Sequence, residues 1–508
     1  MSRTVSADEV ARHDKTSDVW IAINGTVYDI TEFAPQHPGG PEIIYQFAGR
    51  DASDEYNKTH AASSIRKTIK NNHVIGSLDA SSATAQWTTL PSVSSVDKLV
   101  QTIVKPPLST ILNLKDFESI AARTLSEKAW AYIAGASNDN LTRDANSAFL
   151  KRTWLRPSVL RNVGTVNTET TLFGCSLDFP VYISPTGAVM TAGNEGELAL
   201  AKGAAETGII QCISTPTSYP HDEILDVTPQ HAWFQLYVNK DRGKSEDLLR
   251  RIIASGKVKA IFVTADLPVV SKREADERAQ ADDMIAEKKD QLGAEAKDWK
   301  GSGLARQTGS FIDPTLDWDD ISWLRQFTDL PLVLKGIQRW EDARLAAQRG
   351  FQGIVLSNHG GRAADGATPT IVLLLELHRN CPEVFQSLEV LIDGGFRRGS
   401  DVVKAICLGA SAVGLGRPFV YAVNYGQGGV KRAVDSKIVP WKIHVYLHEL
   451  TMDPVLRDEI ETAMRLCGIA DLMKDANPDY VNTADIDHYV FKGGHPYARK
   501  VLSRGSRL

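Results

Sequence analysis

The 508-residue chain is short of cysteine: it has five, Cys175, Cys212, Cys381, Cys407 and Cys467, and no CxxC pair. Neither a disulfide framework nor a cysteine-based zinc site is available to it. Long apolar runs are missing too, none approaching the roughly 20 residues that a membrane-spanning helix needs. Neither charge sign is in excess: 57 Lys+Arg stand against 62 Asp+Glu, a formal charge of −5, which argues against a nucleic-acid partner. The opening Ser2-Arg3-Thr4-Val5-Ser6-Ala7-Asp8-Glu9 carries acids where a signal or transit peptide would lack them. What remains, 43% apolar and 23% charged, is the composition of a globular protein, and it is too long for one ordinary domain.

Residues 1–80 read as a separate small unit. Val19 to Asp29 is a hairpin with Asn24-Gly25 as its turn. His37-Pro38-Gly39-Gly40 is a tight turn that can hold an imidazole rigidly, and His60 follows between polar segments of helical character. Two imidazoles on facing loops could clamp a haem iron from both sides, with no CxxCH to attach it covalently. The plain alternative is a surface turn and an unrelated histidine. Residues 81–106 are small, polar and aperiodic, and close on Pro106-Pro107, which predicts a flexible linker.

From 107 to about 475, after a helical preface from Lys115 to Ala134, eight short apolar runs alternate with amphipathic segments. The runs are Pro180 to Ser184, Ile209 to Ile213, Ala232 to Tyr237, Ala260 to Thr264, Leu330 to Leu334, Gly353 to Leu356, Leu388 to Ile392 and Ala412 to Leu415. This pattern predicts an α/β fold, a (β/α)8 TIM barrel preceded by a small α+β unit, with a doubly wound open sheet as the alternative. Residues 476–508 read as a C-terminal tail. In a barrel the active site gathers at the C-terminal ends of the strands. Those ends hold Pro185-Thr186-Gly187, Ser214, Gln235 with Tyr237, Thr264 with Asp266, Lys335, His359 with Arg362, Asp393-Gly394-Gly395 with Arg397, and Gly416-Arg417.

Each of these ends carries chemistry. His359 titrates near neutral pH and can act as a general base, while Arg362 offers a planar fork that matches a carboxylate. Arg273 would supply a second cation for the same carboxylate. Asp266 can pair with His359 and raise its basicity. Lys335 is either a fixed ammonium beside a reduced cofactor ring or a Schiff-base lysine. Tyr237 and Tyr132 offer hydroxyls, or are core and rim aromatics. Glycine amides with Arg397 and Arg417 after the last two strands predict a phosphate site, hence a phosphorylated cofactor.

His37-Pro38-Gly39-Gly40 and Phe47-Ala48-Gly49-Arg50-Asp51-Ala52, with His60 downstream, resemble the cytochrome b5 family. Ser357-Asn358-His359-Gly360-Gly361-Arg362, Phe234-Gln235-Leu236-Tyr237-Val238, Asp393-Gly394-Gly395-Phe396-Arg397-Arg398-Gly399 and Gly416-Arg417-Pro418 resemble the FMN-dependent 2-hydroxy-acid dehydrogenases and oxidases. The resemblance implies haem b on His37 and His60, and FMN in the barrel. It implies His359 as the base, assisted by Asp266; Arg362, Arg273 and Tyr132 on the substrate carboxylate; and Tyr237 on its hydroxyl. Lys335 would stabilise reduced flavin, and Gln235, Thr264, Ser214 and Ser357 would contact it. The implied reaction turns an L-2-hydroxy acid, lactate or a larger analogue such as mandelate, into the 2-oxo acid. Electrons would pass singly through the haem to an acceptor such as cytochrome c, in a homotetramer. Whether hydrogen leaves as proton or hydride stays open. One rival is an oxidase returning electrons to dioxygen as hydrogen peroxide. The other is a haem-binding electron carrier or sensor with a silent barrel, against which the full set of strand-end groups argues.

Several stretches depart from that family. Gly187 and Pro216 stand where lactate-specific members carry bulkier apolar residues, which predicts tolerance of larger substrates. Glu274 to Thr308 is a long charged stretch, read as a lid, a surface abutting the haem unit or a solvated insertion. Residues 436–454, with Pro440 and Pro454, interrupt what the family runs as one helix; they read as a natural insertion or a retained intron, Ser436-Lys437 being encodable as AGT-AAG. Ser506-Arg507-Leu508 resembles a peroxisomal address, with the mitochondrial intermembrane space or cytoplasm as alternatives.

Overall fold

The structure, a computed structural model, describes residues 3–37, 41–69, 73–83, 87, 104–279, 304–305, 309, 311–434 and 455–493. Pro38-Gly39-Gly40, most of the expected linker, most of the 274–308 stretch, the 436–454 segment and Ser506-Arg507-Leu508 lie outside the described residues. Among the described residues no helix is long and apolar enough to cross a membrane.

The N-terminal unit is a five-stranded sheet with the helices around His60 on one face and the short helix Ala7–Val10 on the other. Its order runs Thr4–Val5, Val74–Leu78, Thr26–Asp29, Asp18–Ile23, Asp14–Lys15. Asn24 and Gly25 join the central strands with φ of 50° and 77°, the left-handed pair that a two-residue hairpin turn requires. Alternation along Asp18–Ile23 sends Val19, Ile21 and Ile23 to the His60 side and Ala22 to a smaller core with Val5 and Val10. Short helices Ser53–Thr59 and Ala62–Thr68 flank His60. The start of the expected linker belongs to this unit: Ser82 Oγ accepts the Ala7 amide at 2.8 Å, and Trp87 Nε1 donates to the Gly49 carbonyl at 2.9 Å. A half-buried indole and a satisfied amide hold these residues where composition alone suggested a tether.

The eight runs close into a parallel barrel: Val181–Ile183, Ile210–Ile213, Ala232–Leu236, Val258–Thr264, Leu332–Ile337, Gly353–Leu356, Glu389–Asp393 and Ala412–Leu415. The last strand pairs with the first at Val413 and Val181, which excludes the open sheet. Tyr182, Cys212, Trp233, Phe262, Val333, Val355, Leu391 and Ala412 fill one interior layer. Phe173, at the tip of the hairpin Thr170–Leu172 and Cys175–Leu177, plugs the N-terminal mouth against Trp233 and Phe262. A Cβ on Gly353 would lie 2.8 Å from Phe173 Cζ, so the plug requires glycine there.

Two residues further along each strand, the period of two puts the next side chains on the same inward face. They are Ser184, Ser214, Gln235, Thr264, Lys335, Ser357 and Asp393, with Gly414 completing the ring. The barrel is therefore apolar below and polar above. All five cysteines are buried thiols.

Two other expectations change. The helical preface is two helices, Leu114–Thr124 and Glu127–Ala134, because Ser126 caps the second by accepting the Ala129 amide. The described part of the expected tail belongs to the fold: Val481–Asn482 pairs with Trp154–Leu155, and Val481, Ile486 and Val490 are buried. Apolar residues too few to show a period still dock once a surface is offered.

Candidate active site

Above the polar layer opens a cleft of about 1150 Å³, solvent at its mouth included. Lys335 lies at its base, its Nζ 3.6 Å from Asp266 Oδ2, 3.9 Å from Asp393 Oδ2 and donating to Ser357 Oγ at 3.2 Å. Burial depresses the ammonium, but the two carboxylates outweigh it and hold its pKa above the ordinary value. Burial would likewise lift Asp266, yet Lys335 and His359 keep it low and ionised. Asp393 is pushed up by burial, only partly offset by Lys335. One ammonium thus faces one firmly ionised carboxylate and one weaker acid.

Beside it, Gln235 Nε2 donates to Thr264 Oγ1 at 2.9 Å while its Oε1 accepts from Ser214 Oγ at 3.0 Å and the Thr215 amide at 3.2 Å. Of these, Ser214 reaches the cleft wall; Gln235, Thr264 and Ser357 stand just behind it.

His359 follows strand six in a left-handed backbone conformation, φ 59°, with Gly360 at 61° and Gly361 at 82°. The turn is set by Asn358, whose amide pairs reciprocally with Asn146 at 2.8 and 2.9 Å and accepts the Gly361 amide. His359 Nδ1 lies 2.9 Å from Asp266 Oδ1, and Nε2 lies 3.2 Å from the Tyr237 hydroxyl. An ionised carboxylate on Nδ1 fixes the proton there and leaves Nε2 as the acceptor. Burial lowers the His359 pKa to about 4; Asp266 opposes this, but Lys335 and Arg273 reinforce it. The expected rise in basicity is thus the contribution of Asp266 alone, outweighed by desolvation, and the ring is neutral at pH 7.

Four arginines border the cleft. Arg362 donates from Nη2 to the Tyr132 carbonyl at 2.8 Å, and its guanidinium stacks 4.9 Å from the Tyr132 ring. Tyr132 itself donates to the Gly187 carbonyl at 3.4 Å. Arg273 is buried with Nε lacking a hydrogen-bond partner, and burial followed by repulsion from Arg362 lowers its pKa to about 9. Arg417 borders the cleft at the expected place and is also held by backbone. Its Nε, Nη1 and Nη2 donate to the carbonyls of Ile133, Gly360 and Gly135 at 3.0, 2.9 and 2.9 Å, tying three loops together. Arg397 keeps a cleft-facing place and pairs with Glu118 at 3.2 Å. Gly394 and Gly395 have φ of 98° and 87°, and a Cβ on Gly395 would lie 2.7 Å from the Asn146 carbonyl carbon.

Sequence reasoning missed Ser184, inward in the polar layer, although the two-residue step from Tyr182 points to it. It also missed Glu118 and Asn146, whose contacts come from far along the chain, and the apolar wall of Leu267, Val270, Ala305 and Ile312.

The residues fit the two groups the motifs imply. Ser184 Oγ, Asp393 Oδ1 and Arg273 Nε are buried, lack hydrogen-bond partners and border one cleft that Gly394, Gly395, Arg397 and Gly416 also line. Unpartnered donors and acceptors around such a cleft suit a polar ring and a phosphate. In the N-terminal unit the His37 and His60 rings lie 6.1 Å apart. Two metal–imidazole bonds of about 2 Å plus two half-rings span such a gap. Burial, then His37, lowers the His60 pKa to about 4, leaving a neutral imidazole of the kind metals bind.

Fold and site together define a flavin-dependent oxidoreductase barrel carrying a haem unit. Residues 121–437 match the FMN-dependent dehydrogenase family, and residues 6–79 match the cytochrome b5-like haem/steroid-binding domain. The chain is 38% identical over 482 residues to an L-lactate dehydrogenase (cytochrome) of Wickerhamomyces anomalus, covering 94% of this chain and 79% of that one. It is 38% identical over 502 residues to the Saccharomyces cerevisiae protein of the same description, covering 95% and 80%. Among solved structures, a mutant flavocytochrome b2 with benzoylformate aligns at TM-score 0.65 and 36% identity, over 80% of this chain and 94% of that one. A mandelate oxidase variant with (S)-mandelic acid aligns at TM-score 0.59 and 35% identity, over 72% and 96%. The chain belongs to the FMN-dependent dehydrogenase family, with a cytochrome b5-like unit ahead of its barrel; the barrel binds FMN and the N-terminal unit binds haem.

Proposed function

We propose that the chain oxidises an L-2-hydroxy acid, lactate or a larger analogue, to the 2-oxo acid and passes the electrons through haem to a one-electron acceptor such as cytochrome c. One observation carries the reading: a neutral His359 presents Nε2 beside the Tyr237 hydroxyl while the buried Arg273 keeps Nε free of any hydrogen bond. A carboxylate between Arg273 and Arg362 would bring the neighbouring hydroxyl to Tyr237 and His359. FMN, when bound, supplies the two-electron acceptor. His359 Nε2 takes a proton from the substrate, and Asp266 holds Nδ1–H and stabilises the imidazolium that results. Lys335 offers fixed positive charge where negative charge develops. Tyr132 braces Arg362 by stacking. His37 and His60 would hold the haem, which would supply a one-electron relay.

The wall of Leu267, Val270 and Ile312 supports an apolar substrate side chain. Gly187 and Pro216 border the same space but also each other: a Cβ on Gly187 would lie 2.6 Å from the Pro216 carbonyl oxygen. The gain in room over a bulkier pair is thus partly taken by the proline itself. Mandelate is expected to be used with kcat/KM within about tenfold of lactate, since such pockets discriminate weakly by size. A strict preference for lactate would defeat this part. A homotetramer belongs to the same reading and is checked by sedimentation.

The test of the whole is anaerobic stopped-flow. Lactate or mandelate should bleach the flavin band first and sharpen the haem bands second, and His359→Gln should slow the first phase by about 10²–10⁴-fold. Flavin bleaching without haem reduction would reject the route.

A further inference from the structure

The haem unit rests on the barrel at one seam, and the contacts there reach the backbone of His60's neighbour. The Ala61 amide and the Ser64 hydroxyl both donate to the Ser218 carbonyl at 3.0 Å. Ser63 Oγ donates to Glu223 Oε2 at 3.0 Å. Lys67 Nζ lies 2.7 Å from Asp222 Oδ2 and 3.1 Å from Glu223 Oε1. The basic last turn of helix Ala62–Thr68 therefore meets the acidic first turn of helix His221–Asp226, each charge also suiting its own helix end.

The receiving loop is built to stay still. The buried carboxylate of Glu197 accepts the Ser218 amide at 3.0 Å and the Val189 amide at 3.1 Å through one oxygen. His221 Nε2 donates to the carbonyls of Ser214 and Thr215 at 3.1 and 3.0 Å. The other end of that loop, Ser214 and Pro216, lines the cleft. One braced loop thus joins the cleft wall to the backbone beside His60.

We infer that Lys67, with Asp222 and Glu223, is a charge latch that positions the haem unit for electron delivery, seating Ala61 on the Ser218 carbonyl. The inference rests on the reading above that electrons leave the barrel through haem. Each crossing takes one electron from reduced flavin and turns ferric iron ferrous; an external one-electron oxidant resets the iron before the second electron follows. Lys67 is a positioning residue and touches neither substrate nor the reacting atoms.

The test uses the full-length protein with both cofactors. In Lys67→Glu, substrate should reduce the flavin at the wild-type rate, while haem reduction slows about tenfold, the scale of two partly exposed ion pairs replaced by repulsion. Combining it with Asp222→Lys and Glu223→Lys should restore the wild-type value. Zero-length carbodiimide coupling of the oxidised wild type, read by peptide mass spectrometry, should join Lys67 to Asp222 or Glu223 and fade as salt rises. Unchanged haem reduction in Lys67→Glu, failure of the reversed pair to rescue it, or absence of the coupled peptide would each overturn the latch. If substrate leaves the flavin oxidised, the proposed function falls while the coupling result still judges the seam.

Discussion

His359 holds its ring on a left-handed backbone, a conformation costing on the order of 1 kcal/mol outside glycine, and does so at the position where a base is needed. The Asn146–Asn358 pair fixes that turn, and Asp266 fixes the tautomer. The pKa of about 4 lies below the unfolded value, so the folded chain binds the proton less readily. Stability is therefore whole above about pH 6.5 and falls toward pH 4, by up to about 3 kcal/mol from this group. The neutral base persists through the same window. The rate of flavin reduction should accordingly stay flat from pH 7 to 5 and drop only near pH 4; a limb near pH 6.5 would contradict the assigned environment. Asp266→Asn removes both the tautomer lock and the counter-charge of Lys335, and should cost at least about 100-fold in that rate with little change in KM. These residues were legible in the sequence because a barrel gathers its chemistry at strand ends. What nothing local shows is that the carbonyls of Ile133, Gly135 and Gly360 take three of Arg417's five donors while it still borders the cleft.

At the scale of elements, the same register that stacks Tyr182, Trp233 and Phe262 in one layer delivers Ser184, Gln235 and Thr264 to the next. Strand existence follows from short apolar runs; the polar layer follows from a step of two. What the runs hide is the hairpin that carries Phe173, three residues per arm and too short to signal itself. Phe173→Ala would open a void beneath Trp233 and Phe262, and unfolding should become easier by about 3 kcal/mol. The cleft lies at the opposite end of the barrel, so the rate of flavin reduction per folded molecule should be unchanged. A fall in that rate at constant FMN content would mean the lower layer sets the position of the upper one. At the other end, Gly395→Ala places a methyl group against Asn146 at a positive φ, and its expected effect is loss of bound FMN measured by absorbance.

Across the whole molecule, the two units divide the chemistry. The barrel holds every group proposed for substrate oxidation, and none comes from the N-terminal unit. The haem unit offers two imidazoles 6.1 Å apart and meets the barrel by a seam of hydrogen bonds and ion pairs. Neither the seam nor its register was legible in the sequence, because Lys67 and Asp222 look like ordinary solvated charges until the fold brings them together. If the halves are separable in chemistry, His37→Ala and His60→Ala should lose the haem absorbance while substrate still bleaches the flavin within about threefold of the wild-type rate, a spread ordinary for a change remote from the reacting groups. Cytochrome c reduction should then collapse, because the proposed flavin site is the cleft of the barrel and the haem is the proposed exit. Should cytochrome c reduction survive, electrons must leave directly from the flavin. If, with cytochrome c left out, peroxide formed in air accounts for the substrate consumed, the electrons pass from the flavin to dioxygen and the barrel works as an oxidase with the haem unit an accessory to it.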